Sequence, residues 1–348
     1  MTALDFSRAR IQELITHHVG NKVNDEGIHL SDELSAFPPE TETFLLQYFL
    51  SPLREELFYA FTHAVKLDMN EVFTLVTRIF NDHSDFINDS KRLAKMLYEY
   101  TAHPKIKSGE LNVVYLTEVM LDNKKVDALG LYKSETNVPF LKMKNRRGKY
   151  DIDHEMGFEI KSVDKGCLIF NTQPETGFKV LTIDNSSKSS EAQYWKDDFL
   201  KLRPIANEFH QTHQFLAITK NFVTQQLDED FEVSKADKID LLNRSVAYFK
   251  AHDTFDKSEF EQQVLQDATI IKSFQNFDHQ YRTDHDIELK DSFDISALAV
   301  KKQARVFKSV LKLDKNFHIY IHGNRELIEQ GVEKDGRKYY KIYFDQES

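Results

Sequence analysis

The sequence predicts an α+β protein in two parts, with antiparallel sheets flanked by helices. Three observations carry that expectation. β-prone runs crowd together after His103 and return near the C-terminus. Between them, from about Glu191, apolar residues recur at helical spacing. Short turn signals join neighbouring runs, as in antiparallel hairpins. A chain of 348 residues is long enough for two domains of ordinary size. Arg203-Pro204 breaks the pattern, so the expected division is an N-terminal α+β domain at 1–204 and a helix-rich domain ending in strands at 205–348.

IQELITHHV and GIHLSDEL are two β-prone runs around the turn-rich NKVNDEG. Pro38-Pro39 marks the start of a helix over about 41–53. Asn70 is placed to cap a helix with Val72, Phe73, Val76, Ile79 and Phe80 on one face; Ser90 is placed to cap another with Leu93, Met96, Leu97 and Tyr100. LNVVYLTEVML and VDALGLYKS then read as a hairpin across DNKK, FEIKSV and CLIFN as a second hairpin across DKG, and FKVLTID as a further strand. YWKDDFLKL opens the helical part, and Phe215, Ile218, Phe222 and Val223 share a face. Ser234 with Asp237 resembles a capping box for a helix carrying Ile239, Leu242, Val246 and Phe249. Ser258 is the expected cap of a short helix through Phe260 and Val264, and Ile270, Ile271 and Phe274 belong to the next. VFKSVLKL, NFHIYIHG and KYYKIYF read as strands, the last preceded by the two-residue hairpin signal Asp335-Gly336.

Composition is that of a globular protein: 41% hydrophobic and 29% charged, with 27 phenylalanines that imply aromatic-rich cores. Only 11 glycines and 7 prolines argue against long disordered tracts. No apolar run reaches the roughly 18 residues of a membrane helix, and the N-terminus lacks the layout of a signal peptide. The single cysteine, Cys167, excludes an intramolecular disulfide and a cysteine-based zinc site, and points to the reducing cytoplasm. It lies in the apolar run GCLIFN, which suits a buried thiol better than a reactive one.

The common motif-marked enzymes are absent: no phosphate loop, dinucleotide fingerprint, HExxH or GxSxG occurs. His210 and His213 in HQTH, and His318 and His322 in HIYIH, have spacings that put each pair on one face, but neither has an evident third ligand, so no metal or other cofactor is expected. Asp151 and Asp153 ahead of Glu159 and Lys161 resemble the carboxylate-and-ExK pattern of a metal-dependent nuclease. Against it, strand alternation alone would send Glu159 and Lys161 to solvent and Phe158 and Ile160 to the core.

Positive charge is local in a chain whose net charge is −10. LKMKNRRGKY holds Lys142, Lys144, Arg146, Arg147 and Lys149 in what reads as a connecting loop or a strand end, beside Tyr150. KKQARVFKSVLKLDK holds Lys301, Lys302, Arg305, Lys308, Lys312 and Lys315; on a strand, Lys308 and Lys312 share a face. Both are solvated charge runs or phosphate contacts, since a basic patch on an acidic body suffices to bind nucleic acid.

YDIDHEMGFEI with CLIFN, YWKDDFLKLRPIANEF, FLAITKNFVTQQL with its following capped helix, and FKSVLKLDKNFHIYIHG resemble, in order and spacing, the bacterial nucleoid-associated NdpA/YejK-like family, from about IQELITHH to about YKIYF. The resemblance implies a cytoplasmic protein of the nucleoid, associated with DNA and with type II DNA topoisomerases. It implies no cofactor and no catalytic residue. The leading expectation is a non-enzymatic nucleoid-associated binding protein, with or without self-association into a homo-oligomer. Alternatives are an adapter held at the nucleoid only by protein partners, through the acidic helical segment from Asn207 to Asp291, and the metal-dependent nuclease.

Overall fold

Leu111, Val113 and Tyr115 alternate with Asn112, Val114 and Leu116, so one strand has two largely apolar faces and must be covered twice. The computed structural model shows both covers. It describes residues 4–53, 57–185, 194–285, 287–306, 310–313, 317–320, 327–344 and 346. Two units result, Met1–Ile205 and Ala206–Ser348.

In the first unit the strands are β1 (Leu4–Asp5), β2 (Arg10–Val19), β3 (Ile28–His29), β4 (Tyr59–Phe61), β5 (Gly109–Leu121), β6 (Lys124–Ser134), β7 (Val138–Arg146), β8 (Lys149–Gly157), β9 (Lys165–Phe170), β10 (Lys179–Asp184) and β11 (Leu202–Pro204). Nine of them form one antiparallel sheet in the order β11-β4-β10-β9-β6-β5-β2-β3, with β1 also on β5; β7 and β8 form a separate two-stranded sheet. One face packs on α2 (Glu71–Asn81) and α3 (Phe86–Tyr100), where Val76, Ile79, Leu93 and Leu97 meet Leu111 and Val113. The other packs on α1 (Glu42–Leu50), where Phe49 and Leu50 meet Val114, Leu116 and Leu168. Cys167 is fully buried in β9, and burial pushes its thiol well above the usual range, as its apolar run implies.

Local chemistry explains the boundaries. Asp122 and Asn123 both take positive φ, the geometry of a tight two-residue hairpin turn between β5 and β6. Asn70 caps α2 by accepting the Phe73 N–H at 3.1 Å, and its amide donates to the carbonyls of Thr62 and Leu200 at 3.0 Å each, so one buried side chain ties the helix start to two other segments. Ser90 is not a cap. α3 starts four residues earlier, at Phe86, and Ser90 is a buried strut inside it. The Ser31 N–H donates to His17 Nδ1 at 3.1 Å, which leaves the proton on Nε2 to donate to Ser90 Oγ at 2.9 Å; that hydroxyl donates to the Ile87 carbonyl at 2.7 Å. FEIKSV is not a strand either: residues 158–164 form the turn-rich connection between β8 and β9.

The second unit contains α4 (Glu208–Asn221), α5 (Leu227–Asp230), α6 (Lys235–Ala251), α7 (Lys257–Phe260), α8 (Ala268–Asp284) and α9 (Ala297–Val306). Its short strands are β12 (Thr254–Asp256) and β13 (Ser292–Asp294), β14 (Val310–Leu313) and β15 (Phe317–Tyr320), and β16 (Ile328–Val332) and β17 (Lys338–Ile342), each pair antiparallel. A π-helical turn at Phe222–Gln226 joins α4 to α5. Ser234 and Asp237 form the expected reciprocal capping box. The core is aromatic: Phe215 lies 4.3 Å from Phe255 and edge-on to Phe260 at 5.1 Å, and Phe249 stacks on Phe255 at 5.2 Å. Two expectations shift by a few residues. Asp256, not Ser258, caps α7, because its carboxylate accepts the Glu259 N–H. The Asp335-Gly336 connection is a five-residue turn, closed by the Glu333 N–H on the Arg337 carbonyl, with Gly336 at φ 85°.

His17 supplies a test of this packing. Burial, with Lys91 nearby, lowers its pKa from 6.5 to about 4. On acidification the unfolded chain therefore takes up this proton first, and the folded state loses stability between pH 6.5 and about 4. The loss should reach about 3 kcal/mol. In urea unfolding across that window, wild type should weaken more steeply than His17→Gln; parallel curves would show that His17 is not the titrating group.

Candidate nucleic-acid interface

LKMKNRRGKY alternates apolar and charged residues up to Asn145, and KYDIDHEM alternates after it. Period-two alternation on both sides of Arg147-Gly148 is a hairpin pattern. The structure corrects the connecting-loop reading accordingly. β7 and β8 pair in register from Val138↔Gly157 to Arg146↔Lys149. Arg147 (φ 50°) and Gly148 (φ 87°) turn the chain, and Asn145 Oδ1 accepts the Gly148 N–H at 3.3 Å. The result is an arm whose strands, at nine residues each, run about 30 Å.

The register sorts the side chains. Phe140, Lys142, Lys144 and Arg146 share one face with Lys149, Asp151, Asp153 and Glu155. Leu141, Met143 and Asn145 share the other with Tyr150, Ile152, His154 and Met156. The cations are therefore partly neutralised across the ladder. Lys142 pairs with Glu155 at 2.7 Å, and Asp151 lies 3.4 Å from Arg146 and 3.9 Å from Lys149. Charge is also graded along the arm. The tip half carries Lys144, Arg146, Arg147 and Lys149 against Asp151, while the root half carries Lys142 against Asp153 and Glu155. The side chains of Arg146 and Lys149 are 73% and 83% exposed, so the tip cations stand in water.

A buried ionic cluster holds the root. Lys133 and Lys165 are almost wholly inaccessible. Glu135 lies between them, 3.0 Å from the Lys133 ammonium and 4.0 Å from that of Lys165, and accepts the Tyr194 hydroxyl at 3.1 Å. Lys165 also reaches Asp184 at 3.4 Å, and Lys133 donates to the Lys107 carbonyl. Burial depresses the Lys133 pKa against the opposing pull of Glu135; burial raises that of Tyr194, and Glu135 adds to the rise. Next to it, Asp164 accepts the backbone N–H groups of Glu135 and Thr136 and the Thr136 hydroxyl, at 2.7, 3.0 and 2.8 Å. The chain thus enters the arm at 135–136 and leaves it towards 164 through one set of bonds. No sequence motif marks this cluster; buried lysines look like surface lysines in sequence.

The second basic run is mostly helix. Lys301, Lys302 and Arg305 lie on α9, with the Lys302 ammonium 5.7 Å from the Phe209 ring centre. Lys301 and Arg305 line a cavity of about 440 Å³ with Lys250, His252 and Asp253. The single-strand reading of VFKSVLKL fails because α9 runs to Val306 and β14 starts at Val310. Lys308 and Lys315 lie outside the described residues, and Lys312 belongs to β14 opposite His318.

The nuclease pattern does not assemble. Asp151 is occupied by the arm's cations, Asp153 faces Lys142 across the ladder, and Glu159 and Lys161 lie on the exposed turn after β8. Phe158 and Ile160 are 36% and 38% exposed there, so the expected burial of these two fails as well. Among the described residues, no group of three His, Cys, Asp or Glu could hold a metal ion, and HQTH stays a pair: burial lowers the pKa of both His210 and His213.

A sequence profile of the family described as nucleoid-associated protein YejK matches residues 15–338. The chain belongs to that family. No individual curated protein matches it. Membership places the protein with the cytoplasmic nucleoid, and among the described residues no helix is long and apolar enough to cross a membrane.

The ionic cluster predicts a sharp asymmetry. Glu135→Ala leaves two buried ammonium groups beside each other without the carboxylate between them, and should cost about 3–5 kcal/mol in urea unfolding. Glu155→Ala removes an exposed partner of Lys142 and should cost under about 1 kcal/mol. Equal effects would mean the cluster is not what fixes the arm.

Proposed function

We propose that this nucleoid-associated protein binds DNA directly and without catalysis, through the basic tip of the β7–β8 arm. The observation that carries the reading is the arm's shape together with its charge gradient. A two-stranded ribbon fits the major groove of a duplex. Lys144, Arg146, Arg147 and Lys149 lie within one turn of its end, projecting from an acidic protein. The bonds of Arg146 and Lys149 to Asp151 are exposed and contribute little, so exchanging them for phosphate oxygens costs little. Phosphate contacts carry no direct base information, so sequence preference should be weak. Lys301 and Arg305, one helical turn apart on α9, are suited to a second phosphate contact.

Fluorescence anisotropy with a labelled duplex across a salt series tests this. Each neutralised phosphate contributes about −0.9 to the slope of log affinity on log salt. Arg146→Glu/Arg147→Glu/Lys149→Glu should lower affinity and flatten the slope by about two to three. Wild-type binding with an unchanged slope in this variant would remove the tip from the interface, and no wild-type binding at low salt would remove direct contact altogether.

A second reading rests on a different feature. Asp228, Glu229, Asp230 and Glu232 line a groove of about 1230 Å³ in the second unit, together with Lys235, Lys238, Lys338, Phe317 and Tyr339; Lys238 pairs with Asp228, so the acidic character of the groove rests on Glu229, Asp230 and Glu232. Carboxylates and aromatic rings on one groove suit a basic segment of a protein partner, and type II DNA topoisomerase subunits are the partners the family resemblance suggests. Pull-down from nuclease-treated lysate separates the readings. Recovery of topoisomerase subunits, lost with Asp228→Lys/Glu232→Lys, supports the groove; disappearance of all partners after nuclease treatment leaves only DNA.

A further inference from the structure

The second unit is acidic, with 20 lysines and arginines against 25 aspartates and glutamates over residues 206–348. Three of its cations, Lys250, Lys301 and Arg305, nonetheless border one cavity of about 440 Å³. All three are exposed, and among the described residues no ion pair engages any of them. Beneath them Ile295, Ala297, Val300 and Ala304 form an apolar floor. Helical geometry explains the arrangement. Positions 297, 300, 301, 304 and 305 of α9 recur at three- and four-residue steps, so small apolar side chains and two cations lie in neighbouring stripes on one face.

The walls of this cavity are fixed by the fold. α6 ends at Ala251, and β12 follows it into a ladder with β13, where Thr254 pairs with Asp294. The Asp253 carbonyl extends that ladder by accepting the Ile295 N–H at 2.7 Å, and α9 begins two residues later at Ala297. The end of α6 is thereby held against the start of α9. His252 forms a further part of the wall. Its Nδ1–H donates to the Tyr248 carbonyl at 2.9 Å, and its ring stacks on that of Tyr248 at 4.2 Å.

We propose that this cavity binds a nucleoside diphosphate, with its phosphates on Lys250, Lys301 and Arg305 and its base and sugar over the apolar floor. Three observations select this class. The volume lies within the roughly 300–1,000 Å³ of small-molecule pockets. The rim sets three cations against one carboxylate, that of Asp253. A monocarboxylate leaves most of that charge unmatched, whereas a diphosphate matches it, and a guanidinium beside an ammonium suits phosphate oxygens. The floor is the third. A phosphate of a duplex would use the cations of α9 and leave the apolar surface bare, while a base and sugar cover it. Asp253 can accept only from a donor when ionised, which a ribose hydroxyl supplies. No lining group is placed to read one base against another, so purine nucleotides should bind alike. The site lies in the second unit, so it neither needs the arm nor follows from the arm's contact with DNA.

Isothermal titration calorimetry of the full chain with ADP and with GDP tests this. Both should bind with dissociation constants below about 1 mM and within about tenfold of each other. Pyrophosphate alone and adenosine alone should each bind at least about tenfold more weakly than ADP. Lys301→Ala/Arg305→Ala, at exposed positions, should weaken ADP at least about tenfold by removing charged hydrogen bonds. Ala297→Phe fills the floor without changing charge and should weaken ADP in the same direction. The arm variant Arg146→Glu/Arg147→Glu/Lys149→Glu should leave ADP binding unchanged. No binding of either nucleotide at about 1 mM overturns the proposal. So does ADP binding that survives Lys301→Ala/Arg305→Ala, or pyrophosphate that binds as well as ADP with no effect of Ala297→Phe. If both nucleotides fail to bind while Lys301→Ala/Arg305→Ala lowers affinity for a duplex, these cations belong to DNA and the proposal likewise fails.

Discussion

Glu135 is the residue on which the arm depends. Two lysines on adjacent strands of the sheet, Lys133 and Lys165, are buried where an isolated ammonium would be strongly disfavoured, and this carboxylate lies between them. Removing one member of such a set costs far more than the set contributes when complete. Its effect is geometric. Glu135 is the first residue after β6, so the charge that neutralises the lysines also fixes where the chain leaves the sheet. Asp164 fixes the return by holding the backbone at 135–136. Among the described residues, the ion pairs beyond that point, Lys142–Glu155, Arg146–Asp151 and Lys149–Asp151, lie within the arm itself.

Electrostatics then divides the labour along the chain. The body is acidic, and an acidic body repels a duplex at long range. In the DNA reading proposed above, a ribbon with its cations in excess at the far end meets the phosphates first, with the acidic body about 30 Å behind the turn. The same alternation that puts Lys142, Lys144 and Arg146 on one side puts Leu141 and Met143 on the other. One short pattern thus specifies a charged surface and an apolar one on opposite sides of the arm.

Much of this was legible in the sequence, and the failures have physical causes. The helices around Val76, Phe215 and Phe249 and the strands β5, β6, β9 and β10 follow from periodicity and caps, because local preference and tertiary packing agree there. The capping box at Ser234 and the cap at Asn70 stand where the side-chain chemistry puts them. Ser90 misled because a serine inside a helix can accept from His17 Nε2 and donate to the Ile87 carbonyl as readily as it can cap. The arm was the instructive miss. Its alternation was complete, but Arg147-Gly148 lacks the Asn or Asp that usually announces such a turn, and a dense run of cations reads as a loop. The ionic cluster was invisible for another reason: only the sheet brings Lys133, Glu135, Lys165 and Asp184 together.

The turn at Arg147 has an energetic consequence. Non-glycine residues held at positive φ cost of order 1–3 kcal/mol, and Arg147 sits at φ 50° where glycine would relieve the cost. Gly148 takes its φ of 87° freely, so the backbone penalty of the bend falls on Arg147 alone. The pairing of Arg146 with Lys149 and the ladder behind it hold that conformation. The most distal guanidinium of the arm is thus displayed at a conformational cost that strand pairing offsets.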